Sequence, residues 1–243
     1  MSAEAAQQTA DAVNRIRNTW NDIQSGVNSV LDWLPGFLCD KLKEWFNKLA
    51  NKVGEFFEAV AKPFTQRGSA DALRIAGQSW NTDIGGRAST QAGLLAPEQL
   101  KTDNEWQGKA ADSYKDSITG QGKALASVKT QAESVQNVLN EIANALDSFW
   151  NGLLAAVLIY VGAMVLCAIG AATVVAAIPS IIAAVTASIA VIAQTVNLTT
   201  TFVNALQTQR AKLEQVATTD SAFANGQWPP ATTGDNGGWK PKE

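Results

Sequence analysis

The chain of 243 residues contains no histidine. That absence removes the commonest metal ligand and the commonest general base, so Ser-His-Asp and Cys-His nucleophilic sets cannot be assembled. Cysteine occurs twice, at Cys39 and Cys167, far apart in sequence. Two such residues suggest neither a disulfide framework nor a zinc site, and Cys167, inside an apolar run, reads as a small hydrophobe. Neither a Walker loop nor a G-x-G-x-x-G fingerprint is present. The acidic residues are spread along helix faces, where a solvated surface is the usual reading. The expectation is no enzyme activity, no cofactor, no metal and no small-molecule substrate. A net charge of −3 and a pI near 5.1 argue against nucleic acid as a partner. Strand signals and hairpin turn dipeptides are nearly missing, which points to an all-α chain. The first twenty residues carry Glu4 and Asp11 and hold no unbroken apolar run, so no cleaved signal peptide is expected.

The longest absence is of charge. From Ser148 to Gln209, 62 consecutive residues bear no ionisable Asp, Glu, Lys or Arg side chain. Pro179 is the single proline in that stretch, and it divides a first arm, Leu153 to Ile178, from a second, Ile181 to about Phe202. At about 1.5 Å per helical residue each arm is long enough to cross a hydrocarbon layer of about 30 Å. Such arms cannot stay bare and monomeric in water, because apolar patches beyond a few hundred Å² drive association. Three states avoid this: folding back under amphipathic helices of the same chain, packing against further copies, or spanning lipid. Small residues, including Gly162 and Gly170, suit close helix packing, and Pro179-Ser180 reads as a bare tip. With neither tip nor arms charged, the hairpin is able to enter lipid from one side without carrying a charge across.

The remaining sequence is helical in period. Val13, Ile16, Trp20, Ile23, Val27 and Val30 form one stripe from about Ala3 to Leu34, ended by Pro35-Gly36. Leu38, Leu42, Trp45, Phe46, Leu49, Val53, Phe56, Phe57 and Val60 form a second, opposite a face of mixed Lys, Glu and Asp. That helix suits either a core or a membrane interface. A third helix is expected from Ser69 to about Asp83, broken by Gly85-Gly86, with a stretch to Ala96 that is loop-like or a poor helix, and a short helix from Pro97 to Asn104. After Trp106 a long polar helix, near-heptad from Leu125, is expected to run unbroken into the first apolar arm. The residues after Thr218, rich in Gly, Pro, Asn, Thr and Asp, are expected to form a mobile tail. The divisions expected are 1–66, amphipathic helices; 67–150, a helical hairpin; 151–217, the apolar hairpin and returning helix; and 218–243, the tail.

Trp106-Gln107-Gly108-Lys109-Ala110-Ala111-Asp112-Ser113-Tyr114 resembles the W-x-G turn of the WXG100 superfamily, over roughly residues 68–150. The wider layout resembles the Esp-type substrates of type VII (ESX) secretion. The resemblance implies an elongated helical hairpin, export without a cleaved leader, a place in the medium or at the cell envelope, an association with virulence, and a second WXG100-like subunit or the secretion machinery as partner. One departure is plain. The Tyr-x-x-x-Asp/Glu export signal of such substrates is missing, since Tyr114 is followed by Ile118 and Tyr160 by Met164. Independently of the family, Gly108 permits a backbone conformation other residues resist, while Trp106, Trp80 and Tyr114, with Ala111, are placed to close a helix hairpin. A simple helix cap with no recognition role fits the same residues. The function expected is a self-assembling protein that engages or inserts into membranes through its apolar hairpin. The alternatives are a constitutive two-span scaffold and a filament or ring that never meets lipid.

Overall fold

The structure is a computed structural model that describes residues 2–65, 67–99, 107–223 and 226–229. Every regular element among them is helical: α1 (Ser2–Leu31), α2 (Gly36–Thr65), α3 (Ala70–Ser79), a π-helical turn (Trp80–Gly86), α4 (Arg87–Leu94), a 3-10 turn (Pro97–Gln99), α5 (Lys109–Ala171) and α6 (Ala177–Thr219). The all-α expectation holds, and so does the unbroken run of the long polar helix into the first apolar arm. The chain forms two compact units, one from residues 1–71 and 144–205, the other from 72–143 and 206–243. Both are discontinuous in sequence and cut across the four sequential divisions read from composition.

The first unit is a four-helix bundle. The turn Asp32–Pro35 reverses the chain between α1 and α2, whose stripes meet with Trp20 stacked on Phe46, ring centroids 5.3 Å apart. Cys39 Sγ lies 3.3 Å from the carbonyl oxygens of Leu31 and Leu34, so its thiol donates back into that turn. Ile16, Ile23, Leu42, Leu49 and Phe56 are fully buried. The outer face of α2 stays charged and solvated. There the Lys48 ammonium, 2.6 Å from Glu44 Oε1, holds that carboxyl below its ordinary range by hydrogen bond and charge together. The start of α1 borders Leu154 and Leu158 of α5, and Gly26 lies against the backbone of Ala171 and Ala172. These helices therefore run parallel. Phe56 meets Tyr160 at 4.8 Å and Phe64 meets Trp150 at 5.2 Å, which sets α2 antiparallel to α5. The apolar half of α6 returns along α5, pairing Ser180 with Gly170, Ser188 with Tyr160 and Leu198 with Gly152.

The second unit is a helical hairpin. Gly77 faces Gln136, Gly85 faces Ala132 and Leu95 faces Gly122, so the run from α3 to α4 is antiparallel to α5. Asn81 Nδ2 donates to Gln136 Oε1 at 2.6 Å. Here the structure corrects an expectation. Gly85-Gly86 does not break the helix, and of the two readings of the stretch beyond it the helical one holds, because the chain continues through the π turn into α4. The reason is contact: a Cβ on Gly85 would stand 3.1 Å from the Ala132 methyl, so this glycine permits close approach to α5. The 3-10 turn covers the start of the short helix expected from Pro97. The rest of that helix lies outside the described residues. The tail expectation is corrected in part as well. Asp220 accepts hydrogen bonds from Ser127 Oγ, Gln131 Nε2 and the Ala222 amide, and Pro229 reaches Gly120, so the first residues beyond α6 pack on α5. Residues 230–243 lie outside the described ones.

Two glycines test this packing against helix propensity. Gly54 meets nothing on the exposed side of α2, so Gly54→Ala is expected to stabilise the protein by about 0.5–1 kcal/mol. Gly170 is different, because an added Cβ would stand 2.5 Å from the Cβ of Ser180. Gly170→Ala is expected to be net destabilising, overpacking at about 1–3 kcal/mol outweighing the propensity gain. Urea midpoints of the two variants should move in opposite directions.

Candidate membrane-active hairpin

In the structure the first arm ends at Ala171, and five residues, Ala172–Ala176, turn the chain into α6. This corrects the expected tip at Pro179-Ser180. Thr173 makes the turn earlier. Its amide and its hydroxyl both donate to the Gly170 carbonyl, and its hydroxyl oxygen accepts from the Ala176 amide at 3.3 Å. Pro179 instead sits in the first turn of α6, where a missing N–H costs nothing because the first four amides of a helix have no partner within it. Ala172, expected inside a span, lies in the turn. The apolar arms are therefore Leu153–Ala171 and about Ala177–Val196, and α5 and α6 are both long and apolar enough, by length and composition, to cross a membrane.

Each arm has two faces. On α5, Leu153, Val157, Tyr160, Met164, Cys167 and Ala171 are fully buried at helical spacing. The opposite face shows Leu158, Ile159, Leu166 and Ile169, of which Ile159 is 73% exposed and Leu166 70%. On α6, Ala177, Ile181, Ala184 and Ser188 are buried, while Ile189 and Val196 are exposed. Phe56 and Phe64 of α2 and Gly26 of α1 cover the inner face of α5. No charged side chain lies on either face of the arms.

The hydroxyl groups of the arms are satisfied within the hairpin. Tyr160, 1% exposed, places its hydroxyl 2.8 Å from Ser188 Oγ. Ser188 Oγ also donates to the Ala184 carbonyl, which leaves the tyrosine as donor to serine. Thr173, Ser180, Thr186, Thr195, Thr199 and Thr200 each bond a carbonyl three or four residues back. Below the arms, Trp150 donates its indole N–H to the Arg67 carbonyl at 3.3 Å, fixing α5 to the end of α2. Sequence reasoning singled out neither Tyr160–Ser188 nor Trp150. The only signal available was a lone tyrosine inside an otherwise apolar run.

The residues singled out from sequence fall in several places. Gly108 precedes α5 at φ +107°, a region that L side chains rarely adopt, and its carbonyl accepts from the Asp112 amide. Ala111 is buried and Tyr114 is part-exposed. Trp106 lies outside the described residues. Trp80 is 44% exposed at the start of the π turn, so it does not fill the hairpin core. Small residues, Gly85 and Ala132, do so, since the helices approach too closely for an indole. Of the apolar-arm set, Gly170 makes the close contact with α6. Gly162 does not pack between the arms, because it lies on the outer face with nothing within 4 Å of its side-chain direction. Pro179 is exposed in α6. Among the described residues no group of three or more His, Cys, Asp or Glu is placed to hold a metal.

No protein-family model, curated protein or solved structure matches this chain.

The inter-arm hydrogen bond supplies an asymmetric test. Tyr160→Phe leaves Ser188 bonded to Ala184, and is expected to cost about 0.5–1.5 kcal/mol. Ser188→Ala strands the buried phenol, and is expected to cost more, about 1–3 kcal/mol. Thermal melts of both variants should rank them in that order. Equal melting points would mean that the phenol finds another acceptor.

Proposed function

We propose that this chain is a WXG100/Esp-like protein of type VII secretion that self-associates and engages or inserts into membranes through the hairpin of α5 and α6. The observation that carries the membrane half is the two-faced hairpin: a wide apolar surface without charge, its hydroxyls bonded within the hairpin, and covered on one side only. A helix pair of that kind exchanges water, a second copy or lipid on its bare face without breaking a polar contact. Small residues at Gly170 and Ser180 bring the arms together as membrane helix pairs require. The secretion half rests on the resemblance around Trp106 to Tyr114. In its favour are the antiparallel hairpin of α3, α4 and α5 and the positive φ of Gly108 at the head of α5. Its expected partners are lipid, further copies of the chain, and a second WXG100-like subunit or the export machinery, which would supply the missing export signal. Export would place the protein in the medium or at the envelope.

A charge on the bare face tests the membrane reading. Gly162→Asp adds a side chain where nothing stands within 4 Å, midway along the first arm, so the water-soluble fold should keep its melting temperature. At the centre of a bilayer the same charge costs about 2.5–3.5 kcal/mol, roughly a hundredfold in partition. Vesicle leakage should fall accordingly. Unchanged leakage would mean that the arms do not insert. Release of the wild-type protein into medium without detergent separates this reading from a constitutive two-span scaffold.

A further inference from the structure

The two ends of the first unit differ in chemistry. At one end, near the contact of Phe64 and Arg67 with Trp150, stand Glu4, Lys62, Arg67 and Asp147. At the other end two turns come together. Gly26 touches Ala171 and Ala172, and α1 runs on past them for five residues, about 7–8 Å, before its own turn at Asp32–Pro35. The turn Ala172–Ala176 and the turn of α1 and α2 therefore lie at the same end of the unit, the latter further out. The side chains there are inverted relative to ordinary loop chemistry. Trp33 is 79% exposed, Phe37 74% and Val175 90%, with Val174 half-exposed beside them. The nearest charges on these elements, Asp32 and Asp40 against Lys41 and Lys43, cancel.

We propose that these paired turns, Trp33–Phe37 and Val174–Val175, form a tip that docks in the interface of a lipid bilayer before the arms insert. The inference rests on the membrane reading given above and adds the part of the molecule that makes first contact. An indole and a phenyl ring exposed at one end suit the headgroup boundary, where Trp is favoured. Two β-branched valines on the neighbouring turn extend the same apolar end. Because the local charge balances, attachment draws on apolar area and not on attraction to anionic lipid. Binding is therefore expected to be similar on phosphatidylcholine and phosphatidylglycerol vesicles and to change little with salt. A second copy of the chain is the competing occupant, and the test separates the two.

The experiment uses the full chain with phosphatidylcholine vesicles in a flotation assay. The triple variant Trp33→Ala, Phe37→Ala, Val175→Ser alters only exposed side chains, and circular dichroism melting checks that it folds as the wild type does. It is expected to lose roughly tenfold or more of the vesicle partition. A single Trp33→Phe variant provides an independent reading: brominated phosphatidylcholine should quench part of the wild-type tryptophan emission, and that quenched part should be absent from the variant. Gly162→Asp should still float while failing to release vesicle contents. Wild-type partition retained in the triple variant, with Trp33 unquenched, overturns the tip while leaving the membrane reading intact. A wild type that binds no vesicle overturns both. A wild type that does not float, and whose sedimentation shows self-association abolished by the triple variant, assigns the tip to a second copy and also overturns the proposal.

Discussion

The structure depends on a hairpin whose hydroxyls close their hydrogen bonds within it. Leaving a polar group unpaired in an apolar surrounding costs several kcal/mol, so an apolar helix keeps its freedom of environment only if its polar atoms need no outside partner. From Thr173 to Thr200 every serine and threonine hydroxyl bonds a carbonyl of its own helix or of the turn. The one phenol in the arms donates to the facing arm and not to α1 or α2. The contribution of α1 and α2 to the arms is thus apolar contact, from Phe56 and from the close approach of Gly26. Trp150 marks the lower limit of this freedom. Its indole is committed to the Arg67 carbonyl, so detaching α2 there would orphan a buried donor.

That arrangement explains why the bundle is unequal around its circumference. Phe56 and Phe64 of α2 turn inward to cover one side of α5, and the solvated face of α2 is laced with Lys–Glu pairs such as Lys48–Glu44 and Lys52–Glu55. Exposed pairs of this kind add little stability, but they keep that side in water. The outer face of α5 has no such coat. A row containing Leu158, Ile159, Leu166 and Ile169 is an apolar surface that an ordinary soluble monomer would cover or break with charge. Two of the three states open to these arms are therefore partly combined in one molecule: the inner face is folded back under α1 and α2, and the outer face remains for lipid or for another copy.

Much of the helical fold was legible because period survives without context. The stripes of α1 and α2, and the passage of α5 from polar to apolar without a break, follow from residue spacing and from the lack of a proline between Lys109 and Ala171. The errors share one cause, which is reading glycine and proline as punctuation when contact decides their meaning. Pro179 is compatible with the first turn of a helix, so the reversal is set instead by Thr173, whose hydroxyl serves the turn as both donor and acceptor. Gly85 lets α5 approach within van der Waals range, so the helix passes through it. Trp80, the largest side chain of its segment, was assigned to a core that is built from Gly and Ala. The polar commitments of Tyr160 and Trp150 were not legible, since their partners stand 28 and 83 residues away in sequence.

Charge placement gives the hairpin a direction. The charge-free run begins after Asp147 and ends before Arg210, close to where the first unit takes over α5 at residue 144 and gives up α6 at 205. Within that unit the two arms are antiparallel, so both charged borders lie at the base and the turn Ala172–Ala176 at the far end. Driving Asp147 through hydrocarbon would cost several times the thermal energy, whereas the turn carries only Ala, Thr and Val. On the membrane reading proposed above, entry would be easy from one end and opposed at the other, and its depth would be bounded by the length of the arms, about 19 and 20 residues, near the thickness of one hydrocarbon layer. On the same reading the exposed rings of Trp33 and Phe37 would stand at the leading end, where an apolar surface costs least on arrival and most if it stays in water.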